Sequence, residues 1–453
     1  MLASRDFWGV VLQSFLRHQF NSQSFGGTRM DSNVLKTAAL SRAANSWVSK
    51  ADLALIARDI GTPVFIYSEE QLARNVQRIH EAASAFGFKD QIELFVPFFP
   101  NSNPHVLNPL QALGVGLLLQ LPNEFKMLQK FAFNKFIVSP GHVSDDEIDF
   151  WARTPYPTFL SSLDEVDHAL RVKAQSISVR IDSLGSDKPG IKYPQLEQLA
   201  AMLRTHQRDL ECFEVYCGSG NSLEDMIKIL DQIFIIFKTH FPTARSINFA
   251  GGHGFFYEKW AESEKHFAWR PYFEAMRALI QRHSIPPNVK FLFEPARDVL
   301  ADIGMLLLGI KRNIIRNPTG NLVATDGSRM LMPSAQLRGR HHNIVFWDAE
   351  LREIVAPSDD CIESAVRGRS ILRNDYVLPG TYAVPSSVGA GCYAGIMDVG
   401  AYCATQHMEF LNIPPAAEVM IDRSGACHLV TQRGDELDKW RNLLPEKRKL
   451  KAS

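Results

Sequence analysis

The chain has 453 residues, 45% hydrophobic and 22% charged, with 49 Lys+Arg against 49 Asp+Glu and a formal net charge of zero. This length suits about two to three domains, and the apolar share supports a sizeable core. The charge balance leaves no electrostatic footprint for nucleic acid or an anionic membrane, and no apolar run approaches the ~18 residues of a spanning helix.

Residues 1–50 read as an N-terminal extension. The stretch before Met30 carries a single acidic residue, Asp6, so a transit-like segment is open, as are an unstructured leader and a start at Met30. The six cysteines, Cys212, Cys217, Cys361, Cys392, Cys403 and Cys427, form no CxxC pair. Reduced thiols in a cytoplasmic protein are the simplest reading. The fourteen histidines show no metal-ligand spacing, so no metal is expected, and His341-His342 beside Arg338-Gly339-Arg340 read as a solvated loop.

From about residue 60, short apolar runs alternate with amphipathic stretches. Ser68-Glu69-Glu70-Gln71 is a capping-box pattern, followed by Leu72, Val76, Ile79 and Ala83 on one helical face and Gly87 as a stop. Strands are predicted at Gln91–Phe98, Val115–Leu121, Lys135–Ser139, Thr158–Ser162, Ser176–Ile181, Glu211–Cys217, Ser246–Gly251 and Lys290–Pro295, with Ser222 capping a helix to about Lys238. Eight strands alternating with helices over residues 60–300 predict an α/β architecture, a (β/α)8 TIM-like barrel; an open doubly wound sheet is the competitor. Residues 301–436 change texture. Short strands at Asn321–Thr325, Asn343–Trp347 and Glu418–Ile421 between Gly-, Pro- and Ser-rich turns predict a mostly β second domain. Residues 437–453 read as a helix end and basic tail.

In a barrel, chemistry gathers at the carboxyl ends of the strands. Several such ends carry ordered motifs: Asn101-Ser102-Asn103-Pro104, Ser178-Val179-Arg180-Ile181, Gly218-Ser219-Gly220, Ala250-Gly251-Gly252-His253-Gly254-Phe255 and Glu294-Pro295-Ala296-Arg297. Ala356-Pro357-Ser358-Asp359-Asp360 and Asp398-Val399-Gly400-Ala401-Tyr402 follow in the second domain. Glycines let backbone N–H groups approach a phosphate, though a GGxG is also an ordinary tight turn. A strand-end carboxylate can face a ring nitrogen, or be an ordinary ion-paired surface group, and a lone tyrosine is most often a core residue with a wet tip.

Taken in order, these segments resemble the fold-type III pyridoxal-phosphate decarboxylases that act on ornithine, diaminopimelate and arginine, over about Thr62 to Asp422. The resemblance implies an alanine-racemase-like barrel and a dimer, homo- or hetero-, with a family member. It implies pyridoxal phosphate, bound non-covalently or absent, held by Arg180, Ser219, Gly251, Gly252, Gly254, Glu294, Arg297 and Tyr402. It also implies catalytic roles for Asp360 and Cys361, and a small amino-acid or phosphate ligand.

The departures are as informative. Aligned on Asn101-Ser102-Asn103-Pro104, the family's cofactor-binding lysine falls on Phe99, and Phe95-Val96-Pro97-Phe98-Phe99-Pro100 contains no lysine. A phenyl ring forms no covalent link to an aldehyde and transfers no proton. Pro97 and Pro100 predict disturbed strand pairing. The family's second-strand aspartate falls on Leu118 and its ring-stacking histidine on Tyr216. Its interface cysteine falls on Asp359, or on Cys361 with a short shift. Lys126, Lys130 and Lys188 are candidates for a relocated amine. This pattern points to loss of decarboxylase activity and a regulatory or scaffold role. The alternatives are altered amino-acid chemistry in a specialised biosynthetic pathway and a phosphate-ligand binding module.

Overall fold

The computed structural model describes residues 47–443 except 183–187, 217, 220, 260 and 436. The extension to residue 46 and the tail from residue 444 lie outside the described residues.

Strand β1 (Val64–Ser68) leads into helix α1 (Glu69–Ser84), whose N-cap Ser68 accepts from Gln71 N at 3.2 Å. Its buried face includes Leu72, Val76, Ile79 and Ala83, as the 3.6-residue period requires. Eight barrel strands follow near the expected positions: β2 (Ile92–Pro97), β3 (Gly116–Leu119), β4 (Phe136–Val138), β5 (Phe159–Leu160), β6 (Ser178–Asp182), β8 (Cys212–Val215), β9 (Ser246–Asn248) and β10 (Lys290–Phe293). The two-residue β7 (Ile191–Lys192) pairs only β6. The parallel order is β4-β3-β2-β10-β9-β8-β6-β5, and a bridge between Val138 and Thr158 brings its two ends together. The result is a nearly closed barrel and not an open sheet. Helix α2 (Leu223–His240), capped by Ser222, packs outside it against α3 (Trp269–His283).

The barrel interior is plugged by Phe95, Leu118, Ile137, Phe159, Cys212 and Leu292, one residue from each of six strands. This plug matters for function. Residues two positions further along β8 and β10 stand above it, at the carboxyl end, because side chains alternate along a strand.

The proline expectation fails. Phe95, Val96 and Pro97 pair in register with Gly116, Leu117 and Leu118, and Phe98 N donates to Leu118 O at 3.0 Å. The bonds toward β3 come from residue 98, so the missing N–H of Pro97 faces the other neighbour. Pairing with β10 has already stopped there, at Leu94.

The second domain centres on a six-stranded sheet ordered β13 (Ile344–Trp347), β16 (Tyr393–Met397), β11 (Gly304–Gly309), β1, β17 (Ala417–Ile421) and β18 (Cys427–Thr431). β1, from the stretch read as barrel, joins this sheet, antiparallel to β11 and parallel to β17. Trp47, Val48, Leu53 and Ile56 are buried in one apolar cluster with Val64, Ile66, Met305, Leu307 and Val419 of this sheet. A smaller sheet joins β12 (Asn321–Ala324), β14 (Cys361–Arg367) and β15 (Tyr382–Pro385). The reading of His341-His342 as a solvated pair is corrected. His342 is buried, its Nδ1 2.8 Å from Met397 O and its ring 4.7 Å from that of Tyr257. A backbone partner and an aromatic wall make that burial affordable.

Candidate functional site

An open cavity of about 270 Å³ occupies the carboxyl end of the barrel. Of the residues expected to hold a cofactor, Arg180, Ser219, Gly251, Gly252, Glu294, Arg297 and Tyr402 all line it. Gly254 does not; a side chain there would meet the Phe256 ring instead. Asp360 and Cys361 are not brought to the mouth of their own chain. Asp360 ends the turn Ser358–Asp360 and hydrogen-bonds Ser386, while Cys361 begins β14 with its Sγ 3.4 Å from Pro357 O.

The anion-binding side is built by backbone approach. Gly252 adopts φ +99°, and a Cβ there would collide with the Gly218 carbonyl oxygen, so only glycine lets the two loops meet. Tyr402 itself sits at φ 61°, held by its N–H to Pro100 O at 2.7 Å, a strained placement for a non-glycine residue. The Arg297 guanidinium lies 4.6 Å from the centre of the Tyr402 ring, and Arg297 Nε is buried without a partner. Ser219 shares a 2.8 Å hydrogen bond with Tyr216.

The same cavity holds an acidic floor that motif reasoning missed in part. Register places Arg180 of β6 beside Glu214 of β8, and Glu214 beside Asn248 of β9. Arg180 Nη1 reaches Glu214 Oε1 at 3.5 Å, and Asn248 Nδ2 donates to Glu294 Oε1 at 2.7 Å. Glu214 and Glu294 are 2% and 6% exposed, and Glu214 Oε2 has no partner. Burial raises both carboxyl pKa values; the Glu214 charge pushes Glu294 up further, while Arg180 pulls Glu214 back. The signal for Glu214 was present: a lone charge at an inward position, two residues after buried Cys212 and two before Tyr216.

Phe99 is 37% exposed, lines the same cavity and sits 6.1 Å, ring to ring, from Tyr402. Tyr216 lines it too, with Lys188 Nζ 3.7 Å above the ring centre and the Arg180 guanidinium 5.5 Å away. Lys188 is the only lysine lining the cavity among the described residues. Lys126 instead lies over Phe150, and Lys130 is in the turn Gln129–Phe131.

No family model matches the chain. Its curated relatives include diaminopimelate decarboxylases. That of Methanothermobacter thermautotrophicus is 22% identical over 414 residues, covering 85% of this chain and 92% of the relative. That of Haemophilus influenzae is 22% identical over 418 residues, covering 85% and 94%. A solved diaminopimelate decarboxylase from Helicobacter pylori, complexed with L-lysine, superposes with TM-score 0.73 at 18% identity, covering 86% of this chain and 99% of that one. A lysine/ornithine decarboxylase from Vibrio vulnificus, complexed with putrescine, gives 0.68 at 13%, covering 83% and 98%. The architecture is that of the fold-type III pyridoxal-phosphate decarboxylases. In sequence the chain is similar to diaminopimelate decarboxylases at 22% identity, and with the lysine/ornithine decarboxylase it shares the fold.

The orphaned Arg297 Nε on one rim and the orphaned Glu214 Oε2 on the floor fit a ligand with an anionic group at one end and a protonated nitrogen at the other. Pyridoxal phosphate has that form. Phe99, however, offers it no covalent anchor at the end of β2.

Among the described residues, no helix is long and apolar enough to cross a membrane.

Proposed function

We propose that the chain is a diverged homologue of the diaminopimelate- and ornithine-type decarboxylases that has lost decarboxylase activity. In this reading it binds a phosphorylated pyridine non-covalently and serves as a regulatory or scaffold partner of an active family member. The observation that carries it is Phe99, an aromatic ring in the cavity wall where the family's lysine falls.

Arg180, Glu214 and Glu294 would orient the ring from the floor. Gly251, Gly252, Ser219, Arg297 and Tyr402 would hold the phosphate. Bound pyridoxal phosphate supplies an electron sink next to a substrate's α-carbon. With Phe99 in place of an amine, and Leu118 and Tyr216 at two further altered positions, the chain lacks the groups that would exchange substrate and move its protons. The exposed acids Asp359 and Asp360, with Cys361 beside them, remain available to a partner barrel.

Absorbance of the protein mixed with pyridoxal phosphate, then borohydride reduction and peptide mapping, tests this. The proposal expects no specific adduct, no carbon dioxide from diaminopimelate, ornithine or arginine, and association with a homologue. A stoichiometric adduct on Lys188 would favour the second reading, altered chemistry on an amino acid, for which the position of that amine in the cavity is the supporting observation.

A further inference from the structure

Lys265 is a buried charge that lies outside the mouth. It sits in the loop between β9 and α3, and its Nζ donates to both carboxylate oxygens of Asp398, at 3.0 and 2.9 Å. Asp398 is buried as well. A lysine this deep is rare, and a buried ion pair gives little net stability over an apolar pair of similar volume. Its place in the fold is therefore the informative fact. Asp398 opens the turn that ends at Tyr402, and both residues hold left-handed backbone, φ 62° and 61°. Two non-glycine residues so placed persist only where their surroundings over-determine them.

We propose that Lys265 is a positioning residue: its pair with Asp398 fixes the strained turn that presents Tyr402 to the mouth, and so sets the mouth's affinity for its ligand. The inference rests on the reading of the mouth as a phosphorylated-ligand site that uses Tyr402. The turn is pinned along its backbone. Met397 O lies 2.8 Å from His342 Nδ1, and Val399 N donates to Gly304 O at 3.0 Å. Gly400 N donates to Ala301 O at 2.9 Å, and Ser334 Oγ to Tyr402 O at 2.6 Å. Lys265 adds a side-chain hold at the first residue of the turn. A Cβ at Gly400 would lie 1.9 Å from Leu300 O, so the turn rests directly on the segment after β10. His266 holds that segment, 3.0 Å from both Asp298 and Asp302. The dipeptide Lys265-His266 thus fixes both sides of one contact.

The path from Asp398 to the mouth is short. Tyr402 N donates to Pro100 O, next to Phe99, and the Tyr402 ring meets the Arg297 guanidinium at 4.6 Å and the Phe99 ring at 6.1 Å. Met397, just before the turn, pairs with Met305 in the sheet register of β11 and β16. Loosening Asp398 therefore frees the turn and the Tyr402 ring while the sheet before it keeps its ladder. Lys265 does not line the cavity. It acts through Asp398.

The test is a mutant cycle read by calorimetric titration of the full chain with pyridoxamine 5′-phosphate, which has no aldehyde to modify lysines. Lys265→Met with Asp398→Asn removes both charges together, because either alone leaves the other unpaired and buried. This pair of changes should weaken binding about 10-fold, as should Tyr402→Phe by itself. Introduced into Tyr402→Phe, the pair should cost less than about 2-fold more, because the hydroxyl it positions is already gone. Asp398→Asn alone, nearly isosteric and tolerant of the same backbone, should show the same pattern at about 3-fold and serves if the first variant does not fold. Equal losses with and without the Tyr402 hydroxyl would make the pair a structural clamp and overturn the inference, as would unchanged affinity. Amide exchange without ligand gives a second readout. Peptides spanning 398–406 should exchange about 10-fold faster in the variant while those of β11 keep their rate, and unchanged exchange would overturn the anchor. Absence of saturable binding by folded wild type would overturn the phosphorylated-ligand reading and leave the anchor to stand or fall on exchange.

Discussion

Two buried charge clusters in this chain look alike by composition and differ in completeness. Behind α1, Asp298 accepts from Arg78 Nη2 at 2.7 Å, Trp269 Nε1 at 2.6 Å and Phe267 N at 2.9 Å, and lies 3.0 Å from His266 Nδ1. Asp302 accepts from Asn75 Nδ2 and Gln71 Nε2 and faces His266 Nε2 at 3.0 Å. These contacts tie α1 to the segment after β10, across the junction between barrel and second domain. Asp298 and Asp302 are held below the usual carboxylate range, despite burial, by these partners. In the barrel mouth, Glu214 and Glu294 are driven the other way, and one oxygen is left bare. Both carboxylates behind α1 have a partner on each oxygen, although Arg78 Nε there is itself without one, whereas in the mouth a carboxylate oxygen is left short.

The comparison breaks most readily at Asp298. Asp298→Ala should cost about 3–5 kcal/mol in denaturant unfolding, because it removes the buried carboxylate that pairs Arg78 and His266 Nδ1 and leaves His266 with Asp302 alone. A loss under about 1 kcal/mol would show the network to be dispensable.

A pH series sharpens the same point. The two aspartates outweigh burial and raise His266 from the ordinary imidazole value to about 9. A raised folded pKa contributes stability that is complete below the unfolded value and disappears as pH rises through the folded one. Stability should therefore fall by up to about 3 kcal/mol between roughly pH 6.5 and 9. His266→Gln should flatten that slope, and an unchanged slope in the variant would assign it elsewhere.

The Phe99→Lys variant should change stability by about 1 kcal/mol or less, since the ring is partly exposed. It should also gain a borohydride-stable pyridoxal-phosphate adduct at residue 99 without regaining decarboxylation. Recovered turnover would mean that Phe99 alone silences the site. The smallest effect is expected at Glu214→Gln, within about 1 kcal/mol of wild type and on the stabilising side, because it removes a buried charge beside Glu294. A loss of several kcal/mol there would erase the contrast with Asp298.

Much of the mouth was legible from order and spacing. The glycines at 251 and 252, Glu294, Arg297 and Tyr402 each follow a strand or turn, and strand ends converge in a barrel. Asp360 and Cys361 were legible as a motif but not as a place. They lie where the turn Ser358–Asp360 meets β14 in the second domain, and neither lines the mouth of their own chain. Pro97 misled because a proline's effect depends on which neighbour its missing N–H would face, and that is a matter of sheet register. His342 misled because a basic, polar run says nothing of the aromatic ring and carbonyl that another segment brings to it.

What the sequence by itself determined is local and periodic: eight strands, their helices and caps, and the aromatic residue Phe99 just after β2. Those follow from alternation, capping chemistry and side-chain identity, which act over a few residues. The tertiary structure decided that β1 leaves the barrel stretch to join the second sheet, and that Glu214 shares Arg180 while facing an empty donor position. It also decided that Lys188 comes to rest over Tyr216. Each of these depends on which segments share a dielectric environment, and burial, unlike helical or strand period, is a property of the whole fold.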